Sequence, residues 1–371
     1  MKKILVIVSL FIFQVCLPQS GNVVIKGNLK SVSGKMYLYE ILGSESFLID
    51  STFVSNKTFQ FKSRNFVKGY YKLSLTNESN SVEIVVNPKE TSVLNINQIA
   101  YWISADGAYT TGGSPNGVSA DYPIFTGGFI YADGMLWGAV VKDSIDADGN
   151  PIQKTETGIR VGGSTYGHGL AAGRVIYDAT TNAVIGADDP STNHVWRVRK
   201  DWQTADLTVD AANYAGYAST GLVTDADIDI VKEQYEYDWT NWPAAWGAPY
   251  EDVNGDGTYD PTIDIPGYVG ADQTLWTVAN DVPTKFVDVD GDGAVMGEGD
   301  KDANGDYTTV INNSAPTLYG SDAIGIELQI TLWGYALGAG DPLGNVIFKK
   351  AKMIYTGTTT TPAGAMMDDL Y

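Results

Sequence analysis

The sequence predicts a mainly β protein: a small antiparallel β-sandwich followed by a larger β-dominated region with one or two helices. Three observations predict it. Residues 22–97 are a run of short β-branched and aromatic segments separated by Gly, Ser and Asn turns. Beyond about residue 99 the composition shifts to Gly, Asp, Trp, Tyr and Ala, while the apolar segments still read as strands with glycine bends. Convincing helical spacing occurs in one place, Thr224 to Trp239.

The chain opens "MKKILVIVSLFIFQVCLPQS", with Lys2 and Lys3 ahead of an apolar run interrupted only by Ser9. Residues 1–20 therefore read as a secretory signal peptide, the apolar run being too short for a stable membrane span. Val15 precedes Cys16 where lipidation wants a small residue, so cleavage near Gln19 to Gly21 is preferred over a lipoprotein anchor. The expected location is secreted or outer cell surface, with no transmembrane span after signal removal. Cys16 is the only cysteine of the 371 residues, which excludes a disulfide framework, a Cys-ligated metal and a thiol redox motif in the mature chain. Residues 1–98 carry 11 basic and 6 acidic side chains, and residues 99–371 carry 13 and 38, or +5 against −25. So acidic a surface repels nucleic acid and anionic lipid and favours cations.

The expected strands of the first domain, 22–97, are "NVVIKGNL", "KMYLYEIL", "SFLIDSTFV", "KTFQFKS", "YYKLSLT", "SVEIVVN" and "TSVLNI". In "KTFQFKS" the alternation puts Phe59 and Phe61 on one face, as in a sheet half buried against another layer. The stretches "VIKGNL", "MYLYE", "LIDSTFVSNKTFQFK", "YYKLSL" and "IVVNPKE" together resemble the β domain that precedes the thioredoxin domain in exported thiol-disulfide oxidoreductases of the Bacteroidota. In that family the chemistry belongs to a following Cys-x-x-Cys. No cysteine follows here, so the resemblance implies a fold and not a redox activity.

In the second region, 99–371, "GGFIYADGMLWGAVVK" and "ETGIRVGGSTYGHGLAAGRVIYD" read as strands of a hairpin closed by "DSIDADGNPIQK". "AIGIELQITLWGYAL" and "NVIFKKAKMIYTG" read as further strands. Thr224 and Asp227 form a capping box, and Ile228, Val231, Tyr235 and Trp239 make a helical stripe that Pro243 ends. A shorter helix is expected near Val209 to Tyr217. The stretches "ADGMLWGAVV", "GGSTYGHGLAAG", "VWRVRKDW", "DWTNWPAAWGAPYEDVNGDGTYDP" and "DPLGNVIFKKAKMIYTG" look like the N-terminal region of large surface proteins exported by the type IX route in the Bacteroidota. That resemblance implies a location more than an activity. The chain ends at "AGAMMDDLY", where a further strand is expected to start, so truncation at the C-terminus is expected.

Three acidic stretches carry the chemistry. Calcium takes six to eight oxygens on a flexible loop, and alternating acidic positions turn three side chains toward one ion. In the first, Asp252, Asn254 and Asp256 occupy positions 1, 3 and 5, Gly257 position 6, the Thr258 carbonyl position 7 and Asp260 position 9. Position 12 is Ile263 instead of a carboxylate, with Asp264 one residue later. In the second, Asp288, Asp290 and Asp292 repeat the pattern; the third has Asp300, Asp302 and Asn304 and shares Asp300 with the second. Two ions sharing a carboxylate, or one ion in a folded acidic excursion, both fit. Against this stands the plain reading that Asn-Gly and Asp-Gly simply make turns. Without an ion, so many carboxylates would repel one another, which favours calcium as cofactor.

Catalytic alternatives are thin. Ser164 and His168 in "GGSTYGHG" lack a nucleophile elbow, His194 reads as a surface or packing histidine, and the two histidines make no zinc motif. Trp239, Trp242 and Trp246 would suit sugar stacking if exposed along a groove, but Pro243 and Pro249 suggest a packed turn. The expectation is a non-catalytic secreted or cell-surface structural or interaction protein, stabilised by calcium and meeting an unidentified protein or glycan. The alternatives are a carbohydrate-binding or glycan-processing module and a remnant of a periplasmic redox lipoprotein.

Overall fold

The computed structural model describes residues 22–23, 26–28, 34–42, 45–55, 58–61, 64–65, 69–75, 81–86, 91–107, 118–131, 133–153, 159–164, 170–188, 194–287, 289, 296–302, 304–311, 323–362, 364–368 and 370. The expected signal peptide, residues 1–20, lies outside them. The protein is mainly β, with antiparallel sheets and two α-helices among the described residues. It divides into two compact units, residues 1–89 and 90–371. No helix among the described residues is long and apolar enough to cross a membrane.

In the first unit, β1 (Gly34–Leu42), β2 (Glu45–Val54), β3 (Gly69–Leu75) and β4 (Ser81–Val86) form one antiparallel sheet in the order β2-β1-β3-β4. Met36, Leu38 and Leu73 on this sheet pack with Phe59 and Phe61, which the short Lys26–Asn28 and Thr58–Gln60 pair brings against them. Phe59 and Phe61 meet edge-on, with ring centroids 5.9 Å apart, on the one buried face that their alternation predicts.

The boundary between the units falls earlier than the sequence suggests. β5 (Thr91–Leu94), expected to close the first domain, pairs antiparallel with β6 (Ala100–Ser104) of the second. Burial explains the choice: Val93 joins Ala100 and Trp102 in one cluster, and Leu94 joins the main core. β7 (Leu136–Lys142) and β8 (Ile159–Gly163) form the expected hairpin, with the inner pair Ser144–Ile145 and Pro151–Ile152. Gly162 is required there, since a Cβ would lie 2.6 Å from the Trp137 indole nitrogen.

The largest sheet of the second unit is built on two long strands, Gln273–Asn280 and Ile326–Gly334. Along one edge of β10 (Gln273–Asn280) lie β9 (Trp196–Arg199) and the short strand Ala171–Ala172; along the other lie β12 (Ile326–Gly334) and then β13 (Phe348–Tyr355), with β11 (Thr284–Phe286) following β10 in the chain. β10 is buried along its whole length, and strict alternation divides it between two layers. Leu275 and Ala279 join Leu328, Ile330 and Leu332 in the main core, while Trp276 and Val278 face a cluster with Trp196, Val198 and Trp242.

The helices pack beside β9. α1 (Thr208–Tyr214) and α2 (Asp225–Thr240) share Leu207, Ala211, Val231 and Tyr235. The capping box of α2 is formed: Thr224 Oγ1 accepts from the Asp227 N–H, and Asp227 Oδ2 accepts from the Thr224 N–H at 2.8 Å. The stripe lies as its spacing requires, Val231 and Tyr235 buried and Ile228 and Trp239 packed at the margins. The end of α2 then delivers the chain to the first acidic loop.

Candidate metal centre

The loop 252–264 is held at its base by a short antiparallel pair, Tyr250 opposite Pro266 and Glu251 opposite Ile265. Asp252 organises the first turn. Its Oδ1 accepts from the N–H groups of Gly255 (2.7 Å) and Asp256 (3.2 Å), and its Oδ2 from Gly257 (2.8 Å). Gly255 and Gly257 sit at φ +74° and +76°, a conformation that glycine adopts without strain. Asn254 Oδ1 accepts from the Asp256 N–H and Asp256 Oδ1 from the Thr258 N–H, and the Asn254 amide donates to Asp256 Oδ2 at 2.9 Å. Positions 1, 3 and 5 thus belong to one coiled, exposed turn. Asp260 is turned to Thr262, whose hydroxyl and N–H it accepts, and these bonds hold its carboxyl below the usual range.

Asp264 closes the loop from below. It is 2 % exposed, accepts from the Val253 N–H at 2.9 Å through Oδ1, and from the Asp260 N–H at 2.8 Å through Oδ2. Ile263, at position 12, points outward. The second acidic stretch repeats this construction. Asp300 is fully buried and accepts from the Val289 N–H at 2.7 Å and the Gly297 N–H at 2.7 Å. In both stretches the buried carboxylate therefore lies 11 residues after the valine it holds, in "DVNGDG" and "DVDGDG" alike. The departure at position 12 is thus a displaced anchor that both stretches share. Asp288, Asp290 and Asp292 lie outside the described residues.

The third stretch is a hairpin turn. Lys301 bridges Tyr307, the Asp302 N–H donates to the Asp306 carbonyl, and Asp302 Oδ1 accepts from the N–H groups of Asn304 and Asp306. Those bonds lower the Asp302 carboxyl, and Asp302 and Asn304 are exposed. Asp300 turns both oxygens back toward the second stretch.

The first loop is wired to the tryptophans. Trp239 donates from its indole N–H to the Pro261 carbonyl at 3.0 Å, Tyr259 donates to the Trp239 carbonyl at 2.5 Å, and Trp242 donates to the Pro249 carbonyl at 2.8 Å. Trp242 is buried, Trp246 meets Trp196 edge-on at 5.3 Å, and the Arg174 guanidinium lies 4.5 Å from the Trp246 ring. Trp242 belongs to the core, and Trp239 and Trp246 pack half-buried against it. Burial first, and then Asp252, Asp264 and Asp256, push the Tyr250 hydroxyl above its usual range, so the loop's negative field reaches the neighbouring phenol.

The donors of the first loop are all oxygens: the carboxylates of Asp252, Asp256 and Asp260, the Asn254 carboxamide and the Thr258 carbonyl. That set fits a hard cation such as calcium in chemical type. Among the described residues no three acidic or histidine side chains already converge as a metal-holding group. Asp252, Asn254 and Asp256 are held by N–H groups instead.

Of the serine and histidine weighed for catalysis, Ser164 has structural employment. Ser164 is buried and its Oγ accepts from the Met135 N–H; His168 lies outside the described residues. His194 is a packing histidine, 2.5 Å from Asp238 and edge-on to Trp196 and Tyr237. Sequence reasoning missed Asp238, which is fully buried and also accepts from the Arg197 N–H. Its place after Val231 and Tyr235 on the apolar stripe was the available signal. No protein-family model, curated protein or solved structure matches the chain.

Proposed function

We propose that this is a non-catalytic, exported structural or interaction protein of the cell surface whose larger unit is stapled by calcium in its acidic loops. The observation that carries the reading is the first loop itself. An oxygen-only turn, Asp252 to Asp260, hangs from a buried anchor, Asp264, and is tied to the tryptophan core through Pro261 and Tyr259. Cation binding there would stiffen the link between α2 and the main sheet. Asp252, Asn254, Asp256 and the Thr258 carbonyl would supply ligands, and the ion would neutralise carboxylates that otherwise repel. The second stretch shares the anchor, which supports a repeated device over a chance turn. The leader-like residues 1–20, a chain whose only cysteine is Cys16, and 38 acidic side chains after residue 98 support export and a cation-stapled surface module.

Thermal unfolding of the full chain with calcium, with magnesium and with chelator tests the proposal. Extracellular loops of this class bind at about 10⁻⁴–10⁻³ M. Tenfold to hundredfold saturation would stabilise the fold by about 1.4–2.7 kcal/mol, a melting shift of roughly 3–10 °C. A shift specific to calcium is expected; no shift, or an equal one with magnesium, would overturn the reading.

A further inference from the structure

Beneath the turn that leaves β10 lies a buried lysine that no part of the calcium reading uses. In "NDVPTKF", Asn280 ends β10 and Lys285 sits in β11, and both are fully buried. β11 joins a second sheet: Lys285 is the parallel partner of Ala187, and Thr309–Ile311 pairs along its other edge. Lys285 Nζ donates to Asn280 Oδ1. The same Oδ1 accepts from the Val282 N–H at 2.9 Å, and the Asn280 Nδ2 donates to the Gly173 carbonyl at 2.7 Å. Val175, Ala187 and Val282 form the apolar cluster here, each at most 4 % exposed.

We propose that Lys285 and Asn280 join in an intramolecular isopeptide bond, Lys285 Nζ to Asn280 Cγ. Three features of the site carry this. The amine is buried against the carboxamide it would attack, and burial pushes it down to about 7, so a large share is neutral and nucleophilic at neutral pH. The carbonyl oxygen already holds the Val282 N–H, a donor placed for the negative charge that would gather on Oδ1. Three carboxyls surround the amine, those of Asp281, Asp188 and Glu327, and burial raises each. Asp281 spends both oxygens on the N–H groups of Ile324, Gly325 and Ile326, and Asp188 holds Arg174. Glu327 also accepts, from the Val175 N–H through Oε2 and from Gln329 Nε2 through Oε1, but of the three it alone lies directly opposite Asn280 in the sheet, and on that position we assign it the proton transfer.

The step balances without oxidant or cofactor. The Nζ lone pair forms the bond to Cγ while the carbonyl π pair moves to Oδ1. Collapse breaks the Cγ–Nδ2 bond, the surplus proton on Nζ passes through Glu327 to Nδ2, and ammonia leaves. A primary amine and a primary amide become one secondary amide. The bond would lock the turn that connects the main sheet to the sheet of β11, in a region without cysteine.

The test is a denatured intact mass and a tryptic map of the full chain. One ammonia is expected to be missing, and residues 233–301 should appear as a single peptide, uncut after Lys285 and without backbone fragments between Asn280 and Lys285. Lys285→Arg should restore the full mass and the cleavage. Asn280→Asp should restore the link with loss of one water, and Asn280→Ala should abolish it. A folded wild-type chain of full mass, cut after Lys285, overturns the proposal, whatever the variants do. So does an ammonia loss that leaves Lys285 cleavable and reverts in mild base, because that is a succinimide at Asn280–Asp281.

Discussion

Removing the Asp264 carboxylate should unhinge the first acidic loop even without any cation. Asp264 is 2 % exposed and gives one oxygen to the Val253 N–H and the other to the Asp260 N–H, at 2.9 and 2.8 Å. Hydrogen bonds to charged groups contribute about 1.5–3 kcal/mol each. The Val253 side chain is exposed, so water can reach part of this edge and recover some of the loss. Asp264→Ala is therefore expected to cost about 2–4 kcal/mol. Asp264→Asn keeps one acceptor but sets its NH₂ against an N–H donor, and should cost about half as much. The exposed Asp256 gives its Oδ1 only to the Thr258 N–H within its own turn, and Asp256→Ala should stay within about 1 kcal/mol. Urea unfolding in chelator, followed by tryptophan fluorescence, is the natural assay, because Trp239 is bonded to Pro261 inside the loop. An Asp264→Ala protein as stable as the parent would refute the anchoring role.

Two further outcomes follow from paired charges. Asp210 accepts from Arg197 at 2.6 Å, Arg199 at 2.7 Å and the Tyr235 hydroxyl at 2.5 Å, with Arg197 fully buried. Asp210→Ala leaves the buried Arg197 guanidinium without a carboxylate, while Arg199 keeps Asp201, and should cost about 3–5 kcal/mol in urea unfolding; a loss below about 1 kcal/mol would contradict the network. Burial alone would raise Asp133, but hydrogen bonds from Lys349 and Tyr101 and the Lys349 charge hold it below its ordinary 3.8. A depressed carboxyl contributes stability that is fully present above that value and is lost as pH falls through the folded one. Asp133→Asn should therefore flatten the decline in stability below about pH 4, read from acid titrations of melting temperature, and an unchanged acid limb would show that Asp133 contributes nothing.

Local patterns were the legible part of this fold. The capping box and apolar stripe of α2 rest on contacts three and four residues apart, and the hairpin of β7 and β8 on its own turn, so both can be read along the chain. The inward packing of the tryptophans was foreshadowed by Pro243 and Pro249. The unit boundary was not, because "TSVLNI" reads as a strand wherever its partner lies. Its neighbourhood is fixed from far away: the Asn95 N–H donates to Gln273, 178 residues on. The acidic loops were visible as patterns, but the roles of Asp264 and Asp300 needed the backbone that folds under them. Lys285 and Arg197 stand in segments that look polar and solvated, and only tertiary packing buries them. A charged residue's burial is decided by what covers it, which no local spacing records.

Calorimetric titration of the full chain with calcium, alongside Asp252→Ala and Asp256→Ala, tests the central claim most directly. Binding at about 10⁻⁴–10⁻³ M, weakened in both variants while their folds persist in chelator, is the predicted result. No calcium-specific heat up to about 10 mM, or binding that both substitutions leave unchanged, would contradict it and leave the loop a solvated turn.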